Sequence, residues 1–158
     1  DLNILHCGQG RVLLGDFGAA SCVPPHDRQA AEAILQAVGQ TRWVATEAGI
    51  DDVIAISGSG PAYVFHFVEA LEATGRQLGF DEATARELAL ATFEGAIELL
   101  RQSGEPAGDL KRKVMSKGGT TERAIASFEA DGVAEAIVRG ALACRARAVE
   151  MSEEFSRS

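Results

Sequence analysis

The sequence predicts a mainly α fold in which a helical bundle follows a small strand-helix-strand unit. After about residue 50, apolar side chains recur at the three- and four-residue spacing of amphipathic helices, and Gly, Asp or Pro stands where the patterns begin or end. Before that point, short apolar runs interrupted by glycine are typical of strands. With 158 residues and 46% apolar content, the chain can bury the core of one domain, or of one domain and a fragment of a second. We place the candidate boundary near residue 50.

Charge and composition exclude several classes of function. The formal net charge of -8 and the pI of about 4.9 disfavour binding to nucleic acid or to an anionic membrane. No apolar run approaches ~20 residues, and the first residues lack the features of a signal peptide, so we expect a cytoplasmic protein that does not enter a membrane. The three cysteines and three histidines lack the spacing of metal ligands. Reduced thiols and no metal site are therefore expected.

The first fifty residues predict two strands around one helix. The strands are expected within residues 11–20 and 41–44, and the helix within residues 28–38, ended by Gly39. Two strands cannot bury both of their faces, so this unit is expected to lie at the edge of a larger sheet. Gly8-Gln9-Gly10 is half of a dinucleotide-binding fingerprint, but it follows no convincing strand, and we assign it no cofactor role.

Helical patterns occupy the remainder of the chain. Five helices are expected, at roughly residues 61–78, 82–100, 105–114, 120–130 and 133–154. Gly79 is expected to close the first, Asp81 to cap the second, and Asp131-Gly132 to end the fourth, while residues 152–158 should fray. The apolar stripes are wider than one small domain can cover, which favours an obligate homodimer. Alternatively, a preceding part of the protein covers them.

The turn between the third and fourth of these helices is the candidate binding loop. Two glycines, Gly118 and Gly119, permit backbone angles at which consecutive amides face inward, and the following helix adds its positive dipole end. Ser116, Thr120 and Thr121 supply hydroxyls that donate and accept hydrogen bonds, which suits a small carboxylate beside a polar ring atom. The alternative is an ordinary glycine turn with a threonine N-cap.

Two motifs together resemble a known family. The segments SGSGPAY at 57–63 and SKGGTT at 116–121 are similar to the C-terminal half of pyrroline-5-carboxylate reductase, the NAD(P)H enzyme that makes proline. Five further features fall in the same order at similar spacing, namely Ala37-Val38-Gly39, Trp43-Val44, the Leu78-Gly79 turn before Asp81, Gly95-Ala96 and Asp131-Gly132. The resemblance covers roughly residues 28–151.

The resemblance implies a subunit of two domains. Residues 1–50 would be the tail of an N-terminal Rossmann, dinucleotide-binding domain, and residues 51–158 an all-helical dimerisation and substrate-binding domain like the C-terminal domain of 6-phosphogluconate dehydrogenases. The implied activity is reduction of 1-pyrroline-5-carboxylate to L-proline in proline biosynthesis. NADP or NAD would be bound mainly by the N-terminal domain, so this chain alone is expected to be inactive. The implied assembly is a homodimer, with a higher oligomer of dimers as a further option.

The resemblance also assigns site residues. The substrate-binding positions are Ser116, Gly118, Gly119, Thr120, Thr121, Ser57, Ser59 and Gly60. Thr121 matches the hydroxyl near the ring nitrogen and is the catalytic candidate, while Lys113 and Val114 are the candidate cofactor contacts. Lys117 stands where many members carry proline, so it either assists anion capture or is simply solvated. Tyr63, beside the serine motif, is expected to be a packed ring and not a proton donor, because a phenol titrates near ~10.

Two other functions stay open. Another reductase with a helical C-terminal domain could act on a different small carboxylate. A non-catalytic helical dimer could also retain this fold without the cofactor domain. A strand followed by a complete Gly-x-Gly-x-x-Gly fingerprint upstream of Asp1 would exclude that scaffold.

Overall fold

The structure is a computed structural model that describes residues 2–6, 12–13, 20–21, 28–36, 40–44, 46 and 48–156. The chain divides into two compact units, one formed by Asp1–Pro61 with Val138–Ser158 and the other by Ala62–Ile137. Within the described residues, all strands lie before residue 45, and long helices make up most of the remainder. The predicted mainly α fold with a small strand-helix-strand unit is therefore confirmed.

The strands pair differently from the expectation. Strand β1 (Leu2–His6) lies parallel to β4 (Gln40–Val44), and helix α1 (Arg28–Gln36) lies between them in the chain. Strands β2 (Val12–Leu13) and β3 (Ala20–Ser21) form a separate antiparallel pair. The predicted partner of β4, a strand within 11–20, was wrong, because β1 takes that place and supplies the parallel register. β1 escaped prediction since its sequence LNILH contains only one β-branched residue.

Strand β1 lies just before Gly8-Gln9-Gly10, the half fingerprint to which no cofactor role was assigned. A strand does precede Gly8-Gln9-Gly10, contrary to our reason for dismissing that motif. The three residues themselves lie outside the described part of the chain, as do residues 37–39, where the end of the first helix was expected.

Two elements after the strands were not predicted at all. Helix α2 (Ala48–Val53) continues into a π-helical turn over Ile54–Gly58, and together they bury Ile50, Asp51 and Ala55. Within this same unit, the last helix is tied to α2 by polar contacts. Its Ser152 hydroxyl lies 3.5 Å from Asp51 Oδ1, and its Arg145 donates to Asp52.

The remaining helices follow the predicted pattern closely. They are α3 (Gly60–Gln77), α4 (Glu82–Ser103), α5 (Ala107–Val114), α6 (Thr120–Ala130) and α7 (Val133–Ser156). Gly79 and Gly132 adopt positive φ values of 95° and 65° after α3 and α6, as helix-ending glycines do. Helix α7 continues to Ser156, two residues beyond its expected end at about 154, and the fraying of residues 152–158 stays a prediction. Across the described residues, none of the helices combines the length and apolarity that a membrane span requires.

Helices α3 and α4 approach each other through small residues. A Cβ added to Gly75 would lie only 2.8 Å from the Cβ of Ala85, so this crossing requires glycine. Ala85 and Ala89 are almost fully buried there, at 1% and 3% exposure. Close approach through small side chains leaves the larger apolar residues pointing away from this contact.

Those larger residues form extended apolar surfaces. Large apolar side chains of α3 and α4 are exposed in the single chain, including Val64, Phe65, Phe67, Leu71, Leu88, Leu90, Ile97 and Leu99. Phe65 is 68% exposed and Ile97 51% exposed. Single exposed apolar residues are ordinary, but contiguous patches of large ones mark association surfaces.

The cap of α4 supports one stability prediction. Asp81 Oδ1 accepts a hydrogen bond from the Thr84 amide at 2.7 Å, and this bond holds the pKa of Asp81 below its usual value of 3.8. A lowered pKa stabilises the fold at pH values above 3.8, and that stabilisation is lost as pH falls through the folded-state pKa. We expect Asp81→Ala to lower Tm at pH 7, with the difference shrinking at acid pH.

Thermal unfolding followed by circular dichroism at neutral and acid pH measures this effect. Asp81→Asn is the matched control, since asparagine keeps an N-cap acceptor without the charge and should lose little stability. A Tm difference for Asp81→Ala that is equal at both pH values would contradict the prediction.

Candidate functional site

The candidate binding loop connects α5 to α6 and is shaped by its two glycines. Gly118 has a φ of +73°, which only glycine adopts readily. The Gly119 amide donates to the Ser116 carbonyl at 2.8 Å and closes the turn. A Cβ at Gly119 would lie 2.9 Å from that same carbonyl oxygen and would overlap the Ser116 hydroxyl. Each glycine is therefore required by local geometry.

The amides of this loop fall into two groups. Gly118 N–H donates to Glu122 Oε2 at 2.5 Å, so both glycine amides are satisfied inside the chain. The amides of Thr120 and Thr121 belong to the first turn of α6, where N–H groups have no intrahelical acceptor. The structure assigns them no partner among its described residues. Both threonines are exposed residues, so an anion from solvent can approach this first turn of the helix.

The start of α6 differs from the alternative interpretation of this segment. Gly119 is the N-cap residue, with φ −81° and ψ 169°, and no side chain caps the helix at that position. Thr120 is the first helical residue, so it does not act as the N-cap. The glycine turn thus leaves the positive end of the helix without a capping hydroxyl.

Glu122 was not singled out from the sequence. It is the third residue of α6 and half-buried, and its carboxylate reaches back to the amide before the cap. A signal for it existed, because Glu at this position is half of a capping box. Gly119 stands at the N-cap where a capping box has Ser or Thr, so the sequence contains only half of that motif.

All three lysines of the chain lie within residues 111–117, beside this loop. Lys113 Nζ lies 2.7 and 2.5 Å from the two carboxylate oxygens of Glu105, and Lys111 Nζ lies 3.3 Å from Glu129 Oε1. Lys117 is exposed and has no ion-pair partner within the described residues. It is the free cation closest in sequence to the glycines.

The candidate cofactor contacts lie at the end of α5. The Lys113 ammonium is held by Glu105, as described above. Val114, the last residue of α5, is 61% exposed and lines an apolar groove of about 280 Å³ against α4. In this chain Val114 therefore offers an apolar surface, while Lys113 offers a charge that is already paired.

The candidate residues Ser57, Ser59 and Gly60 belong to the other compact unit. Ser57 is half-buried inside the π-helical turn, and Gly60 is the first residue of α3. The Ser59 amide donates to Ile54 O at 2.8 Å, and the Ser59 hydroxyl lies 3.1 Å from Cys144 Sγ on α7. π-Helical turns within helices occur frequently at functional sites. The prediction of a lining loop was wrong in conformation, because only Ser59 lies between the π-helical turn and the start of α3.

The structure therefore brings each predicted set together separately. Ser116, Gly118, Gly119, Thr120 and Thr121 form one loop in Ala62–Ile137, while Ser57, Ser59 and Gly60 lie in the other unit. A pocket shared by the two sets stays a prediction. Tyr63 is half-buried, and His66 lies exposed, with Nδ1 3.7 Å from the Glu69 carboxylate.

Comparison with known proteins identifies the family. Residues 47–151 match the family model described as pyrroline-5-carboxylate reductase dimerisation, and this range contains both the serine motif and the glycine loop. The chain belongs to the pyrroline-5-carboxylate reductase family. The resemblance seen in the two motifs is thereby confirmed.

Individual relatives agree with this assignment. The chain is 44% identical over 123 residues to pyrroline-5-carboxylate reductase of Pseudomonas aeruginosa, covering 77% of this chain and 45% of that protein. It is 36% identical over 140 residues to pyrroline-5-carboxylate reductase 2 of Bacillus subtilis, covering 89% of this chain and 50% of that protein. The chain thus spans about half the length of the curated relatives it matches.

Solved structures share the fold. A pyrroline-5-carboxylate reductase from Coxiella burnetii matches with a TM-score of 0.74 and 38% identity, over 81% of this chain and 47% of that one. The Plasmodium falciparum pyrroline carboxylate reductase, solved with NADP bound, matches with a TM-score of 0.74 and 29% identity, over 79% and 51% of the two chains.

Proposed function

We propose that this chain supplies the substrate-binding and dimerisation part of a pyrroline-5-carboxylate reductase, which reduces 1-pyrroline-5-carboxylate to L-proline with NADPH or NADH. The observation that carries the proposal is the turn into α6, where the exposed residues Thr120 and Thr121 lie within the family-matched range. Their amides and hydroxyls suit the carboxylate of a cyclic imino acid. From the family resemblance, Ser116 is proposed as a further substrate-binding residue of this unit, and Ser57, Ser59 and Gly60 as substrate-binding residues of the other unit.

The chemistry assigned to this chain is positioning and proton supply. The nicotinamide, when bound, supplies the hydride to the C=N carbon. Electron density then moves to the ring nitrogen, so a nearby hydroxyl that donates a proton lowers the barrier. Thr121 takes this catalytic role by relaying a proton from solvent water to the nitrogen, so that its hydroxyl is restored and hydroxide is left to the solvent. The α6 amides hold the carboxylate at a fixed distance from it.

The cofactor is proposed to bind mainly outside the helical domain. Residues 1–50 would be the tail of its dinucleotide-binding domain, and the parallel pair of β1 and β4 around α1 supports that assignment. Residues 51–158 would be the helical domain. Val114 fits a contact with an apolar part of the cofactor better than Lys113 fits a phosphate, since Glu105 already neutralises that ammonium. The NADP in the Plasmodium relative favours NADP here.

The proposed assembly is a homodimer, with a higher oligomer of dimers as an extension. Helices α3 and α4 line a groove of about 660 Å³ with both apolar and charged side chains, and mostly apolar side chains of α4 and α5 line a second groove of about 280 Å³. Such surfaces are expected where helices of a second copy pack. We also propose a cytoplasmic location, without nucleic-acid or membrane partners, in accordance with the acidic net charge of -8.

An activity assay tests the proposed function. The longest reading frame that contains this chain is expressed, purified and supplied with NADPH or NADH, and nucleotide oxidation is followed by absorbance. We expect saturable oxidation with 1-pyrroline-5-carboxylate and formation of L-proline. 1-Pyrroline, which lacks the carboxylate, is the matched control and should react at least tenfold less efficiently, because a charged hydrogen-bond partner is lost.

Two results would count against the proposal. Equal kcat/KM for the two imines would remove the carboxylate-binding role of the α6 loop. Folded protein that oxidises neither nucleotide with any small imino acid would favour the non-catalytic dimer.

A further inference from the structure

The glycine loop is held by a side chain that has no assigned role. Glu122 lies half-buried on α6, and its Oε2 accepts the Gly118 N–H at 2.5 Å. A hydrogen bond to an ionised acceptor is roughly twice as strong as a neutral one. This contact also places a negative charge beside a loop that is proposed to bind a carboxylate, so its presence requires a reason.

The conformation of the loop supplies that reason. Gly118 has a φ of +73°, and two adjacent glycines lose more backbone entropy on ordering than any other pair of residues. Two hydrogen bonds oppose that loss, one from Gly119 N–H to the Ser116 carbonyl and one from Gly118 N–H to Glu122. Without the Glu122 carboxylate, only the first bond would hold the glycine pair.

We propose that Glu122 is a positioning residue for the proposed reaction: it holds Gly118 so that the first turn of α6 presents its free amides and hydroxyls to the substrate carboxylate. The inference rests on the proposed function for the identity of that substrate. The residues of the predicted loop then have two different roles. Gly118 and Gly119 use their amides to build the loop, and Thr120 and Thr121 use theirs to bind.

Kinetics of two Glu122 variants test this role in the longest reading frame that contains the chain. Glu122→Ala removes the acceptor and should raise KM for 1-pyrroline-5-carboxylate on the order of tenfold, because one charge-assisted hydrogen bond that orders the site is lost. kcat should change less than KM, since the bond supports substrate and transition state alike. Glu122→Gln keeps an acceptor oxygen and should restore most of the loss.

Glu129→Gln is the matched control. It removes the same charge from the same helix, but the Glu129 carboxylate pairs with Lys111 and not with a glycine amide of the loop. It should leave KM within about twofold of the unsubstituted protein, as surface ion pairs contribute little. A KM for Glu122→Ala that equals the control would overturn the proposal. So would a KM below that of the unsubstituted protein, because Glu122 would then compete with the substrate.

A second readout keeps this inference separate from the activity itself. Amide hydrogen exchange of Gly118, measured by NMR on the printed chain, should be at least fivefold faster in Glu122→Ala than in Glu129→Gln, because exchange requires the hydrogen bond to open. If no imino acid is reduced but Gly118 exchange accelerates, the proposed function fails and the loop-holding role of Glu122 stands. Unchanged Gly118 exchange removes that role whatever the activity.

Discussion

Replacing Thr121 with alanine lowers kcat/KM for 1-pyrroline-5-carboxylate by about 10- to 1,000-fold in the longest reading frame that contains the chain. Thr121 is the second residue of α6 and is an exposed residue. In the proposed mechanism the Thr121 hydroxyl donates to the ring nitrogen as negative charge develops there. Loss of this hydroxyl should therefore reduce kcat more than it raises KM. Steady-state kinetics with both parameters resolved is the measurement.

Two variants sharpen that test. Thr121→Ser keeps the hydroxyl and should retain most of the activity, which separates loss of the proton donor from loss of packing. Thr120→Ala removes a hydroxyl assigned to carboxylate binding and should raise KM with a smaller change in kcat. Unchanged turnover in Thr121→Ala would remove Thr121 from the mechanism, and equal loss in the serine variant would assign it a packing role.

The second large effect concerns assembly. We expect the 158-residue chain to sediment as a homodimer at micromolar concentration. Ile97→Asp should raise the Kd of that dimer by about 10²- to 10⁴-fold. Ile97 is 51% exposed in one copy and lines the groove between α4 and α5. Burial of an isoleucine is worth roughly 1.5–3 kcal/mol, and the substitution occurs in both copies, which gives about 3–6 kcal/mol.

Analytical ultracentrifugation over a concentration series measures the dimer, and circular dichroism confirms that the helices persist. Gln102→Glu is the control, because it adds the same charge to α4 at a polar, exposed position. A stable folded monomer of the unsubstituted chain at micromolar concentration would contradict the prediction. A dimer unaffected by Ile97→Asp would place the interface on another apolar surface.

The helix boundaries could be predicted because their causes are local. Gly79, Asp81 and Gly132 act through their own backbone angles or through a hydrogen bond three residues away. The loop glycines were found for the same reason, since the φ of Gly118 reflects a property of glycine alone. The roles of Thr120 and Thr121 came from the family resemblance and remain proposals.

The elements that escaped prediction depend on contacts distant in sequence. The pairing of β1 with β4 joins residues nearly forty positions apart, and no local pattern encodes that register. The end of the π-helical turn before α3 places Ser59 beside Cys144, a residue of α7 that lies 85 positions away in the sequence. The contact of Glu122 with Gly118 is local but was also missed, because the sequence has the Glu of a capping box without its Ser or Thr.

By itself, the sequence determined the mainly α fold, the helix ends and the glycine loop, and it identified the family, because apolar periodicity, capping residues and motifs are properties of neighbouring positions. Only the tertiary structure decided which strand pairs with β4, which partners bind the two glycine amides of the loop, and how exposed Phe65 and Ile97 are. Those outcomes depend on which residues contact each other in the folded chain, because a hydrogen bond or a close contact requires both partners to be in place.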